Sequence, residues 1–250
     1  MTIVVSESAG VRALHFGSRW IQGAMRVQRP HALELEYTRD MLVPLVFAPA
    51  AWPASVLVVG LGAGSFVRWF ARHRPDTAIT AIERDPRVIE VARSHFRLPA
   101  EGPRLRLVVG DAADAVAQLD GSFDLVLVDG FDARGSAGRL ESVAFYRTCR
   151  ARMASRGWLA ANLLARTRGV GPGAARLVEA FDGGVLRLAP CRSGNTIVLA
   201  ARDPAEARDA RVPRDAIRAL RAATGLDLRD AVARLPAGRA GVDAGPPAGA

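Results

Sequence analysis

The run VLVVGLGAGSFVRWF, residues 56–70, decides how this sequence folds. Its first part is an apolar, β-branched stretch that reads as a strand buried on both faces. Glycines follow at 60, 62 and 64, and helical spacing begins at Ser65. A glycine turn between a strand and a helix is the context in which such a motif holds a nucleotide. A dinucleotide fingerprint would put glycine at position 65, where Ser65 stands. A tight turn also needs glycine for its backbone alone, so the motif does not decide the matter by itself.

Outward from the turn, Ser55–Val59, Ala78–Glu83, Leu105–Val109, Phe123–Asp129 and Gly157–Leu163 read as strands. Helical spacing lies between and after them at Ser65–His73, Pro86–Phe96, Ala112–Gln118, Ser142–Met153 and Gly173–Phe181. Asp85 is a natural cap for a helix that opens on Pro86. Repeated strand–helix units predict a parallel sheet with right-handed crossovers. GGVLRLAPCRSGNTIVLAAR, residues 183–202, then offers two strands, Val185–Leu188 and Thr196–Ala200, around a short turn. The expected fold is α/β and Rossmann-like. By analogy of layout it is the class I methyltransferase fold, a mostly parallel seven-stranded sheet ending in an antiparallel hairpin.

Residues 1–50 read as a small N-terminal β-element with a linking helix around Thr38–Phe47. Its short strands are expected in RALHFGSRWIQGAMRV (12–27) and ALELEYT (32–38), with turns at Gly17-Ser18 and Arg29-Pro30-His31. Residues 51–202 form the expected cofactor-binding catalytic domain. Residues 203–235 form a helical extension with amphipathic stretches over Pro213–Arg234, and 236–250 a Pro/Gly/Ala-rich disordered tail.

The chain has 250 residues, half of them hydrophobic, enough for one main core. Formal net charge is +9, and all 34 side chains in the Lys+Arg count are arginine. The arginines alternate with acids, as in DPAEARDARVPRDAIRALRAA (203–223), so no nucleic-acid partner is expected. Against a nucleic-acid or membrane-surface binder stands a coding bias from a GC-rich genome, suggested by the abundance of Ala, Gly, Arg and Pro. The missing lysine excludes the usual P-loop, pyridoxal and protein-kinase chemistries. The longest apolar region, residues 40–64, is broken by Pro44, Pro49 and Pro53, so no membrane span is expected. The N-terminus shows no signal-peptide pattern. The two cysteines, Cys149 and Cys191, make neither a disulfide framework nor a metal cluster. A cytoplasmic protein without a metal is the expectation.

The turn has acidic company. Glu83 ends the second strand about twenty residues on, where a carboxylate accepts both ribose hydroxyls. Asp111 ends the third, where it either accepts from an adenine amino group or caps the next helix. Gly60, Gly62, Gly64, Glu83 and Asp111 all fall at the carboxyl edge of successive strands, the ligand-binding edge of such sheets. With G-x-G-x-G spacing, they point to an adenosyl-sulfonium cofactor. The next strand ends DGFDARG: Asp129 closes it and Asp132 follows in a glycine-rich loop. Two carboxylates at the mouth of a cleft suit an amine, holding an ammonium and accepting its proton. The plainer alternative is a loop anchor and a turn former.

WIQGAMRV with LEYTRDM ahead of the turn, then AIERDPRVIEVAR, GDAADAV, DLVLVDGFD and AFYRTCRARMASRGWLAAN, resemble the spermidine synthase (polyamine aminopropyltransferase) family. The resemblance runs from about Leu14 to Leu164. It implies a co-substrate, decarboxylated S-adenosylmethionine or S-adenosylmethionine itself, a small-molecule amine acceptor, and a homodimer. It also implies roles: Gln22 at the cofactor, Tyr37 lining the amine channel, Glu83 on ribose, and Asp111 with Ala112 at adenine. Asp129 would be the general base, Asp132 a second amine-site carboxylate, and Tyr146 a neighbour of the substrate.

The departures are specific. The family's turn usually reads G-G-G-D-G-G, and its aspartate grips the amino end of the decarboxylated cofactor; here that position is Ala63. Thr38 stands where glutamine usually follows the channel tyrosine, the histidine usual before the first Rossmann strand is missing, and D-G-F-D-A replaces D-S-S-D-P. Without an acid at 63, methyl transfer from intact S-adenosylmethionine is the second expectation, its carboxylate favoured by the helix N-terminus near Ser65. A non-catalytic cofactor-binding protein of the same fold is the third. An amine with pKa near 10 is neutral in only about one molecule in a thousand at pH 7, which adds about 4 kcal/mol to its attack. A carboxylate in hydrogen-bond reach can take that proton.

Overall fold

A computed structural model describes residues 2–18, 20–132, 135–164 and 169–236. The tail expected over 236–250 lies, beyond residue 236, outside the described residues. The main sheet has seven strands: β4 (Ser55–Val59), β5 (Ala78–Glu83), β6 (Leu105–Val109), β7 (Phe123–Val128), β8 (Met153–Leu164), β9 (Val185–Arg187) and β10 (Asn195–Ala201). Their order is β6-β5-β4-β7-β8-β10-β9. The first five are parallel neighbours, and β10 runs antiparallel between β8 and β9. A smaller antiparallel sheet holds β1 (Ile3–Ser8), β2 (Val11–Phe16) and β3 (Ile21–Arg26).

Helices cover both faces of the main sheet. On one face pack α2 (Ser65–His73), α7 (Pro204–Asp209) and α8 (Arg214–Thr224), with α9 (Arg229–Ala233) and the segment around Val43–Val46. Phe66, Val67, Trp69 and Phe70 of α2 meet Val56, Val58 and Leu125 there. On the other face lie α4 (Ala112–Ala115), α5 (Val143–Ala151) and α6 (Gly171–Ala180). They bury Leu57, Val59, Val126 and Val128. Alternate residues of one strand therefore feed two cores, which is why these strands read as unbroken apolar runs. A third cluster joins the small sheet to α3 (Pro86–His95), through Leu14, Phe16, Met25, Ala63, Val88 and Phe96. Asp85 caps α3 as expected, accepting from Arg87 N at 3.0 Å.

Three local expectations change. The stretch ALELEYT is not a strand: it leads into α1 (Glu36–Asp40). The single helix expected over 38–47 is split into α1 and a separate 3₁₀ turn at Val43–Val46, because Pro44 has no N–H to continue an α-helix. β1 was not expected, since its sequence IVVSES turns most of its side chains to solvent and leaves little apolar signal.

Candidate active site

Two cavities open at the carboxyl edge of the main sheet. The first, about 540 Å³, is lined by Gly60 and Gly62 after β4, Glu83 at the end of β5, Asp111 and Ala112 after β6, and Asp129 after β7. The small sheet adds Phe16 and Gln22. The second, about 570 Å³, is lined by Tyr37 and Glu36 of α1, Asn162 of β8, Asn195 of β10 and Trp20 and Ile21. Gln22, Asp129 and Phe131 belong to both, so the cavities meet at one wall.

The glycine turn lets backbones approach. Gly60 has φ +90°, and a Cβ there would stand 2.4 Å from the Asp129 carbonyl oxygen. Gly62 and Gly64 also have positive φ. The third strand of the small sheet lies over this turn. A Cβ on Gly23 would fall 2.7 Å from the Ala63 Cβ, and Ser65 Oγ donates to Ala24 O at 3.3 Å. Ala63 is therefore buried beneath β3 and does not line the first cavity. The expectation that the side chain at 63 faces a cofactor tail is corrected, and the Ser65 hydroxyl is turned to β3.

Glu83 holds the turn together. Its Oε2 accepts from Leu61 N at 3.1 Å and its Oε1 from Asp85 N at 3.0 Å. Burial raises its pKa while these amides oppose the rise. Asp111 caps α4, accepting from Ala113 N at 2.9 Å, and its other oxygen lies 3.4 Å from Arg139 Nη1. Arg139 is anchored mainly by Asp114, with Nη1 donating at 2.8 Å and Nη2 at 2.5 Å. It thus ties the segment Gly138–Glu141 across the mouth of the first cavity to α4.

Asp129 is the junction. Its Oδ1 accepts from Asn162 Nδ2 at 2.8 Å, and the Tyr37 phenol lies beside the carboxylate and helps to hold its pKa down. Burial pushes its pKa up to about 6 against those two neighbours. Burial and the same carboxylate push Tyr37 well above the usual phenol value, so it stays a donor. Asn162 is fixed in turn. Its Oδ1 accepts from Asn195 Nδ2 at 2.9 Å, and Asn195 Oδ1 accepts from Ser193 Oγ at 2.8 Å. This chain of donors sets which end of each amide faces which partner.

The structure brings together Gln22, Gly60, Gly62, Glu83, Asp111, Ala112 and Asp129 around the first cavity, with Tyr37 across the shared wall. Gly64 supports the turn from beneath, packed on Leu98 and Arg68. Two expected residues fall elsewhere. Asp132 lines the first cavity, not the one that holds Tyr37, and its Oδ1 accepts from Ser136 N at 2.9 Å in a local turn. Tyr146 lies on the buried side of α5, beside Phe145, and lines neither cavity. Its place on the inward face of an amphipathic helix gives it a packing role there. Asn162, Asn195 and Glu36 were not singled out from sequence, although GWLAAN places Asn162 near the end of a predicted strand.

The spermine/spermidine synthase domain is matched over residues 35–161, half of the chain. Polyamine aminopropyltransferases of Neisseria meningitidis are 36% identical over 196 residues, covering 78% of this chain and 74% of theirs. That of Chromobacterium violaceum is 35% identical over 200 residues, covering 80% and 76%.

The chain belongs to the spermine/spermidine synthase family.

That family membership makes it a transferase. Its fold matches a probable spermidine synthase from Corynebacterium glutamicum at TM-score 0.69 and 19% identity, over 97% of this chain and 94% of that one. It also matches human methyltransferase-like protein 13 in complex with SAH, at TM-score 0.63 and 20% identity, over 76% and 91%. The spermine/spermidine synthase family thus shares its sheet with methyltransferases, as the expected layout implied. Among the described residues no helix is long and apolar enough to cross a membrane.

Proposed function

We propose that this protein transfers an aminopropyl group from decarboxylated S-adenosylmethionine to a polyamine or diamine acceptor, with Asp129 as general base. One observation carries the reading: a buried carboxylate with its pKa raised to about 6 stands in the wall shared by two cavities. The residues of the first cavity fit an adenosyl sulfonium. Its volume suits a ligand of that size, Glu83 and Asp111 offer acceptors at the ribose and adenine ends, and side chains at Gly60 and Gly62 would crowd Asp129 O and Gln22 O. When bound, the sulfonium supplies an activated carbon and a good leaving group.

The chain's own residues do the rest. Asn162 holds one oxygen of Asp129 and keeps it oriented, with the Tyr37 phenol beside it. Asp129 accepts the proton that the amine nitrogen gives up as it forms its bond to the aminopropyl carbon. The carbon–sulfur bond breaks with its electron pair going to sulfur, so charge and protons balance. Phe131 and Gln22, common to both cavities, frame the gap the amine crosses.

Calorimetric titration with S-adenosylmethionine, its decarboxylated form and methylthioadenosine tests the reading. Preferential binding of the decarboxylated form is expected, followed by aminopropyl transfer to a diamine. Methyl transfer is the second reading, resting on the departure of the turn from the family's aspartate at position 63, although a side chain there faces β3 rather than the cavity. Tighter binding of intact S-adenosylmethionine would select it, and a protein that binds no adenosine ligand would be a non-catalytic member of the fold.

A further inference from the structure

We infer that Asn195 and Ser193 are positioning residues: they lock the Asn162 amide with its NH2 towards Asp129, and so hold the base ionised. The inference rests on the aminopropyl-transfer reading given above in one respect, that it takes Asp129 for the base. Asn162 Nδ2 donates to Asp129 Oδ1 at 2.8 Å, and Asn162 Oδ1 accepts from Asn195 Nδ2 at 2.9 Å. Asn195 Oδ1 accepts in turn from Ser193 Oγ at 2.8 Å. Ser193 has one hydroxyl hydrogen, and that bond uses it. In the 3.0 Å contact of Ser193 Oγ with Cys191 Sγ the thiol is therefore the donor. Every link of the chain points its hydrogen along the path to Asp129.

The sheet builds this chain. β10 pairs antiparallel with β8, and Asn195 stands opposite Leu164. Residues 162 and 164 share one face of β8, so Asn195 is the diagonal neighbour of Asn162 on that face. Both amides are buried, so a lost partner is costly. The turn before β10 holds Ser193 beside Asn195: Gly194 N donates to Cys191 O and Cys191 N to Asn195 O, both at 2.9 Å. A protonated Asp129 would find an acceptor at Asn162 only if that amide turned its oxygen round. NH2 would then face NH2 at Asn195, unless Asn195 and Ser193 turned as well. Protonation thus asks three groups to rearrange together, and the ionised base asks none to. The other titratable groups that share a cavity with Asp129 come from other elements. They are Glu36 and Tyr37 on α1, and Glu83, Asp85, Asp111 and Asp132 with Arg84, Arg87 and Arg139 around the first cavity. All of them are common to the variants that test the chain.

The test is an NMR pH titration of the Asp129 carboxyl carbon in the free protein, its resonance identified by its loss in Asp129→Asn. Asn195→Leu lets Asn162 turn alone and should raise the midpoint by about one pH unit, a tenfold gain in proton affinity. Ser193→Ala should raise it by less, and Ser193→Thr, which keeps the hydroxyl, should leave it in place. With Asn162→Leu already present, Asn195→Leu should add nothing, because its route to Asp129 is gone. A midpoint unmoved or lowered by Asn195→Leu overturns the assignment. So does a shift of equal size in the Asn162→Leu background, which would come from a general loosening of the sheet. Should Asn195→Leu fail to fold, the Ser193 pair decides alone, and equal midpoints in Ser193→Ala and wild type overturn the chain. No amine or cofactor enters the measurement, and transfer to a diamine is assayed separately. Shifted midpoints in a protein that transfers nothing would sink the transfer reading and leave this one standing; transfer by a protein whose midpoint ignores these variants would do the reverse.

Discussion

Asp129 carries two opposed demands. A base must be ionised, yet this carboxyl is buried and its pKa stands near 6. The folded form therefore holds its proton more firmly than the unfolded chain does between the ordinary 3.8 and about 6. Stability falls as pH rises through that window, and the full cost, on the order of 3 kcal/mol, is present at neutral pH. Asp129→Asn should raise the unfolding free energy at pH 7 by a good part of that amount in a denaturant titration. It should lower turnover by at least about a hundredfold. In wild type kcat/KM should fall about tenfold per pH unit below about pH 6, as the base is protonated; a pH profile flat to pH 5 would remove Asp129 from the role. Asp129 was legible as a site residue from its place at a strand end. For Asp132, spacing gives only a sequence distance, whereas its turn to Ser136 decides which cavity it lines. Glu36 and Asn195 carried no signal, since each acquires its neighbours only when α1 and β10 come beside β7 and β8.

At the scale of elements, the contact of β3 with the glycine turn governs the first cavity. Gly23 has no room for a Cβ, which would meet Ala63 Cβ at 2.7 Å and Ala63 N at 2.8 Å. Gly23→Val should push β3 off the turn and weaken methylthioadenosine binding at least tenfold, measured by calorimetry, because Gln22 moves with it. Ala63→Asp, which restores the family's residue, should destabilise rather than improve the enzyme. It would bury a carboxylate under β3 at a cost of several kcal/mol, seen as a lowered Tm. The parallel strands were legible because burial on both faces leaves continuous apolar runs. β1 and the break after α1 were not, since one faces solvent and the other turns on a single proline.

For the whole molecule, Arg68 is the tie between parts distant in sequence. It is fully buried on α2, and burial lowers its pKa to about 10. Its Nε donates to Pro30 O at 2.7 Å, and its Nη1 donates to Phe96 O at 3.0 Å and to Ala63 O. One side chain thus joins the small sheet's exit, the end of α3 and the glycine turn. Arg68→Met should leave those carbonyls unpaired and cost about 3 kcal/mol or more in denaturant unfolding. The two cavities share Gln22, Asp129 and Phe131, so their ligands are expected to feel each other. A ligand in one rebuilds part of the other's wall. Equilibrium then imposes reciprocity: whatever factor a thioadenosine adds to the affinity for an amine, the amine must add to the affinity for the thioadenosine. Titrations run in both orders would return one coupling constant, and its sign would tell whether each molecule prepares the protein for the other or keeps it out.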